Sequence, residues 1–252
     1  REPWRNLYAH LMAEIKWPEF AMNFDELGLH DYLAGKPRGT LDAMIKNGVN
    51  APQASSCGRL FDAVAAALDI CMERQAYEGE AAARLEAIVD EEMLRNEDDA
   101  LGYPLSIPNL RGSGLPYIEP LAMWNAVLGD LILKTPAPVM AARFHKGLAK
   151  SIVAMTKKLA SGEDEASPRR FKTVALSGGC FQNRILFEEV SRRLESNDFA
   201  VLSHAQVPAN DGGLALGQAV IGAAHLINSN NKQTKGQPEG NAPCVSVFPD
   251  GS

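Results

Sequence analysis

Two stretches in the last third of the chain repeat one pattern, in which a β-favouring run is followed by a glycine pair and a helical segment. In the first, the run "FKTVALS" (171–177) leads into "GGCFQNRILFEEV" (178–190). In the second, the run "FAVLS" (199–203) is followed by a short loop and "PANDGGLALGQAV" (208–220). Glycine pairs let the backbone turn sharply and let a ligand approach it closely. The order strand, helix, strand, helix favours a parallel pair joined by a crossover helix. The pattern therefore predicts a small parallel βαβα unit at 171–227.

The two turns are candidate ligand sites, because ligands bind at the carboxyl ends of strands in open α/β sheets. The helix after Gly178 and Gly179 should offer free N–H groups and a positive dipole end suited to phosphate. Asn183 can hydrogen-bond a ribose or a base, and Asp211 can bind a metal or a magnesium phosphate. The structural alternatives are a tight turn for the glycine pair and a helix N-cap for Asp211.

The rest of the chain has helical periodicity, and the whole is an α/β protein with much helix. Short helical segments are expected in 1–50, and an antiparallel hairpin around the turn at 109–114. Longer helices are predicted at 55–72, where Ser55 or Ser56 can cap, and at 77–94, 121–136 and 138–162. We expect a mainly helical part at 1–170 that ends in a polar linker at 162–170, and a mobile tail at 228–252. Two strands alone do not hold a βαβα unit, so more sheet is expected from elsewhere.

Composition argues against several functional classes, although it leaves a local basic patch open. The net charge of −6 disfavours a broad nucleic-acid surface, and no apolar run is long enough to span a bilayer. The N-terminal "REPWRNLYAH" lacks the apolar core of a signal peptide, and the four cysteines form no CxxC pair. These features indicate a cytoplasmic protein with free thiols that binds neither nucleic acid nor membrane. Because the chain begins with Arg1, we expect a processed chain or a piece of a longer one.

Six motifs occur in an order that resembles a known family. They are "EPWR", "SSCGRLFDAVAAAL", "YEGEAAARLE", "ARFHKGLA", "LSGGCFQNRIL" and "PANDGGLALGQAV". Together they closely resemble the C-terminal part of HypF, the carbamoyltransferase family of [NiFe]-hydrogenase maturation, up to about residue 226. More distantly, the chain is similar to TsaD-type proteins of tRNA threonylcarbamoyladenosine synthesis.

The resemblance implies a partial ASKHA domain, the actin-like ATPase and RNase H-like fold. It implies a carbamoyltransferase that uses ATP through carbamoyl adenylate, which a YrdC-like domain makes from carbamoyl phosphate. The carbamoyl group passes to the C-terminal cysteine of the partner HypE, on the way to the cyanide ligand of the hydrogenase iron. A divalent metal, Fe, Zn or Mg, belongs to the complete domain.

The resemblance also assigns site residues, although the catalytic residues stay unknown. The nucleotide-binding residues would be Gly58, Asp62, Gly79, Gly178, Gly179 and Asn183. Asp211 would ligate the metal. The sequence departs from the pattern at Ala63, where TsaD-type proteins have lysine, and at Cys180, where valine is usual. The family's histidine-rich metal motif lies upstream of "EPWR", so we expect a fragment in which Asp211 is a lone ligand.

Other side chains and functions stay open. Cys180 at a helix N-terminus has the setting of a nucleophile but no identifiable base. Arg59 and Arg184 can meet phosphate or form surface salt bridges, and His145 is expected in packing or a domain contact. The alternatives to carbamoyl transfer to HypE are TsaD-like threonylcarbamoyl transfer to tRNA and a non-catalytic module that docks the HypE tail.

Overall fold

The computed structural model describes residues 2–52, 54–96, 98–161 and 170–233. The predicted linker at 162–170 therefore lies almost wholly outside the described residues, and so does the predicted tail from residue 234 onward. Residues up to Asn210 form one compact unit, and residues from Asp211 form a second one.

The first unit is built mainly from helices, as the sequence predicts. Its helices are α1 (Pro3–Glu14), α2 (Trp17–Asn23), α3 (Gly28–Ala34), α4 (Arg38–Asn47), α5 (Cys57–Ala67), α6 (Glu80–Ala87), α7 (Glu91–Asn96), α8 (Leu121–Ile132), α9 (Ala137–Ala160) and α10 (Arg184–Glu195). Its strands are β1 (Thr173–Ala175) and β2 (Ala200–Leu202). The second unit contains α11 (Leu214–Gln233), which runs past the predicted end at residue 227.

Helix α5 lies at the centre of the first unit. Every residue from Leu60 to Ala67 is buried, and α1 and α6 pack against the helix. Ala63, Ala65 and Ala66 are fully buried, and these small side chains let neighbouring helices approach closely. Helix α5 also carries Gly58 and Asp62, two of the residues predicted to bind nucleotide.

Two predicted helices end earlier than the periodicity indicated. The helix at 55–72 stops at Ala67, since Asp69 and Cys71 adopt positive φ angles of 59° and 50° that no right-handed helix accommodates. The segment 77–94 is split into α6 and α7 because the Asp90 carboxylate accepts hydrogen bonds from the backbone N–H groups of Glu92 and Met93. Ser56 occupies the N-cap position of α5, but its side chain makes no capping hydrogen bond.

The predicted parallel strand pair is confirmed. β1 pairs with β2 in the register Thr173 to Ala200, Val174 to Val201 and Ala175 to Leu202, with α10 as the crossover. The buried face of α10 consists of the four residues that its periodicity selects, Ile185, Leu186, Val190 and Leu194. This face packs α10 against α9 and fixes the turn between β1 and α10 on the helical core.

The predicted hairpin is also present, as antiparallel bridges between Ser106 and Glu119 and between Asn109 and Pro116. Across the described ranges, no helix is long and apolar enough to cross a membrane.

Candidate nucleotide site

The backbone after β1 turns at Gly178, which adopts φ 105° and ψ 155°. Only glycine adopts this conformation without strain, so the residue is required by the backbone itself. The Gly178 N–H donates to the carbonyl of Ala209 at 2.7 Å, which ties this turn to the loop after β2. We call Ser177, Gly178 and Gly179 the glycine turn; all three residues are exposed.

A short 3₁₀ helix, Gly179–Gln182, separates the glycine turn from α10. The predicted free N–H groups at the start of α10 are therefore not at the turn, and they are not free. The Glu86 carboxylate accepts from the N–H of Arg184 at 2.7 Å and from that of Ile185 at 3.4 Å. A carboxylate is a favourable partner for a helix N-terminus, so the prediction of an open phosphate site at α10 is wrong.

Asn183 is the N-cap of α10. Its Oδ1 accepts from the Leu186 N–H at 2.8 Å, and its Nδ2 donates to His145 Nε2 at 2.9 Å. Asn183 is only 8% exposed, so both ends of its amide are used inside the protein. The structure thus gives Asn183 a role in holding the turn, and its predicted contact with adenosine stays a prediction.

His145, on α9, is fully buried next to this cap. Its Nδ1 donates to the Ala141 carbonyl at 2.7 Å, because a carbonyl can only accept. Nε2 is therefore the unprotonated nitrogen that accepts from Asn183. Burial lowers the pKa of His145 to about 4, so the ring is neutral near pH 7. The packing role expected for His145 is what the structure shows.

The first turn of α5 lies against the 3₁₀ helix. A Cβ atom placed on Gly58 would be 3.9 Å from Cys180 Sγ, an ordinary van der Waals contact. Asp62 follows Gly58 by one helical turn and so lies on the same face of α5. The structure thus brings the predicted α5 residues next to the glycine turn.

Asp62 is 1% exposed, and only one of its two carboxylate oxygens is satisfied. Oδ2 accepts from Asn6 Nδ2 at 3.3 Å and forms an ion pair with Arg59 Nη1 at 2.8 Å. Oδ1 is buried, and no donor among the described residues completes a hydrogen bond to it. Burial raises the pKa of Asp62, and Arg59 and, to a smaller extent, the nearby Gln75 side chain offset part of this effect.

Gly79 lies beside the same cluster. It is the N-cap of α6 with φ 87°, a left-handed conformation that favours glycine. Its neighbour Glu78 lies 3.9 Å from Arg59 Nη2, and Arg59 in turn contacts Asp62. One region of the first unit therefore contains Gly58, Asp62, Gly79 and the glycine turn. We call this group of residues the α5 cluster.

The predicted metal ligand Asp211 is exposed and begins a short 3₁₀ helix, Asp211–Gly213, in the second unit. Within the ranges that the structure describes, no group of three or more His, Cys, Asp or Glu residues is placed to hold a metal. The described residues thus do not fit a metal centre, and we derive no chemical step through one.

Cys57 is a residue of this region that the sequence reasoning missed. It is the first residue of α5, and its thiol interacts with that of Cys180. A hydrogen bond from Cys57 lowers the pKa of Cys180 to about 7, while the same contact and burial raise the pKa of Cys57. The sequence alone does not predict this pair, because 123 positions, about half the chain, separate the two cysteines.

The arginines predicted as phosphate ligands or salt bridges form salt bridges. Arg59 pairs with Asp62, and Arg184 pairs with Glu91 at 2.5 Å and Glu188 at 3.3 Å. A depression of about 330 Å³ next to Glu86 and Arg184 is lined by none of the residues of the α5 cluster. Since Arg184 and the α10 N-terminus already have carboxylate partners, we assign this depression no ligand.

Comparison with known proteins gives a consistent result. Residues 1–218 match the family described as "Carbamoyltransferase, Kae1-like Domain, second subdomain". The chain is 38% identical over 230 residues to carbamoyltransferase HypF of Rhodobacter capsulatus, an alignment that covers 89% of this chain and 26% of that protein. It is 33% identical over 247 residues to a carbamoyltransferase HypF homolog of Cupriavidus necator, covering 97% of this chain and 58% of that protein.

A solved structure shares the fold. The crystal structure of full-length HypF in its phosphate- and nucleotide-bound form has a TM-score of 0.71 and 27% identity to this chain. The match covers 90% of this chain and 27% of that one. The chain thus spans about a quarter of the length of both the Rhodobacter relative and this structure.

Proposed function

The chain belongs to the family of HypF carbamoyltransferases, and from this premise we propose that it carries the adenosine part of the site that transfers a carbamoyl group to HypE. The donor in this proposal is carbamoyl adenylate, and the acceptor is the C-terminal cysteine thiolate of HypE. The reaction would serve the maturation of [NiFe]-hydrogenase in the cytoplasm.

One observation carries the proposal, namely the unsatisfied Asp62 Oδ1 within the α5 cluster. A buried carboxylate oxygen without a donor costs free energy, and a ligand hydroxyl that donates to it recovers that cost. Ribose hydroxyls are donors of this kind. The similar full-length HypF was crystallised with phosphate and nucleotide bound, and this adds support.

The surrounding residues fit a nucleoside. Gly178 keeps the backbone free of a side chain at an exposed turn, so a flat base can lie against it. The Arg59 side chain is 37% exposed and contacts both Asp62 Oδ2 and Glu78, so its movement would expose the Asp62 carboxylate to a ligand. His145 and Asn183 hold the start of α10 and keep the glycine turn in place.

Bound adenylate supplies an activated carbamoyl carbon with AMP as its leaving group. The contribution of this chain is to hold the adenosine through Asp62 and the glycine turn, so that the activated carbon stays in one place. Binding energy spent on a remote part of the substrate in this way lowers the barrier by positioning. No covalent intermediate with this chain is required.

The test is calorimetric titration with ATP of the wild type, Asp62→Asn and a control variant, Asp198→Asn. Asp62→Asn keeps the shape of the side chain but removes the charged acceptor, so we expect ATP affinity to fall about 10- to 100-fold. Asp198 is exposed at φ 62°, where asparagine is well tolerated, and its variant should bind like the wild type.

The outcomes separate the parts of the proposal. Equal affinity of the wild type and Asp62→Asn would contradict the role of Asp62. No binding by the wild type would contradict an adenosine site within this chain. The two alternatives, transfer to tRNA and docking of the HypE tail without catalysis, both lack a specific observation in their favour.

A further inference from the structure

Two thiols from distant parts of the chain meet beside the glycine turn. Cys57 begins α5, and Cys180 lies in the 3₁₀ helix that follows Gly178. The α5 backbone at Gly58 lies close to the Cys180 sulfur. A Cβ atom placed on Gly58 would be 3.9 Å from Cys180 Sγ. Cys57 is the preceding residue of the chain, and each of the two thiols changes the pKa of the other, as expected of neighbouring groups.

Both thiols are partly exposed and both are free, so a small oxidant can reach them. Cys71, the third described cysteine, is also free and partly exposed, but it lies past the end of α5. It provides a control in the same protein, because solvent reaches it as it reaches the pair.

We propose that Cys57 and Cys180 form a reversible disulfide when the protein meets a hydroperoxide, which makes this contact a redox modification site. The bond would connect the first turn of α5 covalently to the 3₁₀ helix after the glycine turn. Both partners belong to the same compact unit, and Cys180 Sγ packs against the first turn of α5, which Cys57 begins. We expect local side-chain rotation to bring the two sulfurs into disulfide geometry.

The chemistry balances with hydrogen peroxide as the oxidant. The Cys180 thiolate attacks one peroxide oxygen, the O–O bond breaks, and Cys180 becomes a sulfenic acid while hydroxide leaves and takes up a proton as water. The Cys57 sulfur then attacks the Cys180 sulfur, forms the S–S bond and releases a second water. Two thiols lose two electrons in total, and a dithiol reductant reverses the step by thiol exchange.

Cys180 is the thiol that reacts first. Its pKa of about 7 leaves a large share as thiolate at neutral pH, whereas the pKa of Cys57 is raised. The thiolate is the reactive form in both steps. Cys57 becomes a better nucleophile once Cys180 is a sulfenic acid, because the neighbouring negative charge is then gone.

If the proposed adenosine site is correct, the disulfide would also hold Gly58 against the glycine turn and weaken nucleotide binding. This consequence depends on the proposed function, whereas the disulfide itself does not. The two are measured separately, so failure of one is distinguishable from failure of the other.

The experiment treats the purified full chain with a small excess of hydrogen peroxide, blocks the remaining thiols by alkylation and digests with trypsin. Cleavage after lysine and arginine places each cysteine in its own peptide: 47–59, 60–74, 173–184 and 236–252. We expect mass spectrometry to find 47–59 linked to 173–184, with the loss of two hydrogen atoms. Dithiothreitol should restore both peptides.

Three variants complete the design. Cys71→Ser should give the same link as the wild type. In Cys57→Ser, Cys180 should accumulate as a sulfenic acid that dimedone traps, since its resolving thiol is gone. In Cys180→Ser, no link to 47–59 should form. Links that involve 60–74 or 236–252 at equal yield, or over-oxidation of Cys180 in the wild type without a link, would overturn the proposal.

Discussion

The imidazole of His145 fixes the side chain of Asn183 by accepting a hydrogen bond of 2.9 Å at Nε2. Asn183 in turn caps α10 through the Leu186 N–H. A residue on α9 thus determines how α10 begins, after the 3₁₀ helix that follows the glycine turn. Since both residues are buried, the pair should contribute measurably to stability.

We expect Asn183→Ala to lower the free energy of unfolding by about 2 kcal/mol, because it removes a helix cap and leaves His145 Nε2 without a donor. Urea unfolding followed by circular dichroism measures this change. Asn47→Ala, at an exposed position of α4, is the matched control and should change stability by less than about 0.5 kcal/mol. Equal effects in the two variants would contradict the role of the pair.

The lowered pKa of His145 predicts a pH dependence of stability. The unfolded chain binds this proton near pH 6.5, but the folded chain binds it only near pH 4. Between pH 6.5 and pH 4 the unfolded state binds more protons than the folded state. The free energy of unfolding therefore has its full value above pH 6.5 and falls by about 3 kcal/mol as the pH drops to 4. The loss thus lies on the acid side, and His10, whose pKa is also lowered by burial, acts in the same direction.

His145→Gln isolates the contribution of His145, since glutamine keeps an acceptor for Asn183 but does not titrate. We expect the stability difference between wild type and variant to shrink as the pH falls from 7 to 4. Urea unfolding at several pH values measures this difference. His225→Gln, at an exposed position of α11, should leave the pH profile unchanged. A difference that does not depend on pH would mean that the folded protein protonates His145 normally.

Alanine substitution at two helical glycines should change the stability of the protein in opposite directions. On Gly147, in α9, a Cβ would lie 2.1 Å from the Tyr103 carbonyl oxygen and 2.8 Å from the Tyr103 nitrogen. Backbone atoms have little freedom to move away, so we expect Gly147→Ala to destabilise the protein by about 3 kcal/mol. Gly129, in α8, has open space at that position beyond the backbone of its own helix, and Gly129→Ala should stabilise by about 0.5 to 1 kcal/mol.

Thermal and urea unfolding of these two variants measure the sign directly. Helix propensity alone predicts a gain for both substitutions. A gain in Gly147→Ala would therefore show that the segment at Tyr103 does not pack against α9 as closely as described.

Asp130 is the centre of a buried hydrogen-bond network. It accepts from Tyr103 Oη at 2.7 Å and from Thr135 Oγ1 at 3.0 Å, and it pairs with Arg143 Nη1 at 2.7 Å. Burial alone would raise the pKa of Asp130, but these donors outweigh it and the pKa is lowered. The stabilisation is therefore present above the ordinary value of 3.8 and lost as the pH falls through the lower folded pKa.

We expect Asp130→Asn to cost about 3 kcal/mol at pH 7, because a neutral amide replaces the charged acceptor at the centre of this buried network. Urea unfolding measures the loss. Asp31→Asn removes an exposed carboxylate with an 83% exposed side chain and should cost less than about 0.5 kcal/mol. A cost for Asp130→Asn as small as that of the control would show that the network contributes little.

The thiol pair predicts the pH dependence of alkylation. Iodoacetamide should label Cys180 with a rate that rises through a midpoint near pH 7, since only the thiolate reacts. Cys57→Ser replaces the thiol donor by a hydroxyl on a bond of different length, so we expect the pH midpoint of Cys180 alkylation to shift. Cys57→Ala removes the donor altogether and should move the midpoint upward toward the ordinary thiol value. Cys71→Ala should leave it in place.

Local pattern was sufficient for most of the secondary structure. The apolar spacing of Ile185, Leu186, Val190 and Leu194 selected the buried face of α10, and the β-favouring runs located β1 and β2. Hydrophobic periodicity and turn-forming residues are properties of neighbouring positions, so they can be recognised directly in the sequence. The family, likewise, was evident from six short motifs in order.

Helix ends were less predictable from the sequence. Asp90 divides 77–94 by capping α7, and positive φ angles at Asp69 and Cys71 end α5. Periodicity carries little information about such ends, because a single side-chain hydrogen bond or one backbone angle is enough to stop a helix.

The sequence by itself determined the elements, the family and which residues belong to the glycine turn. Tertiary structure alone decided three things: that Glu86 occupies the α10 N-terminus, that His145 holds Asn183, and that Cys57 meets Cys180. Each of these contacts joins residues that lie far apart in sequence. Their existence depends on how helices pack, which is set by the complementary shapes of many side chains at once and is not written in any one stretch of the chain.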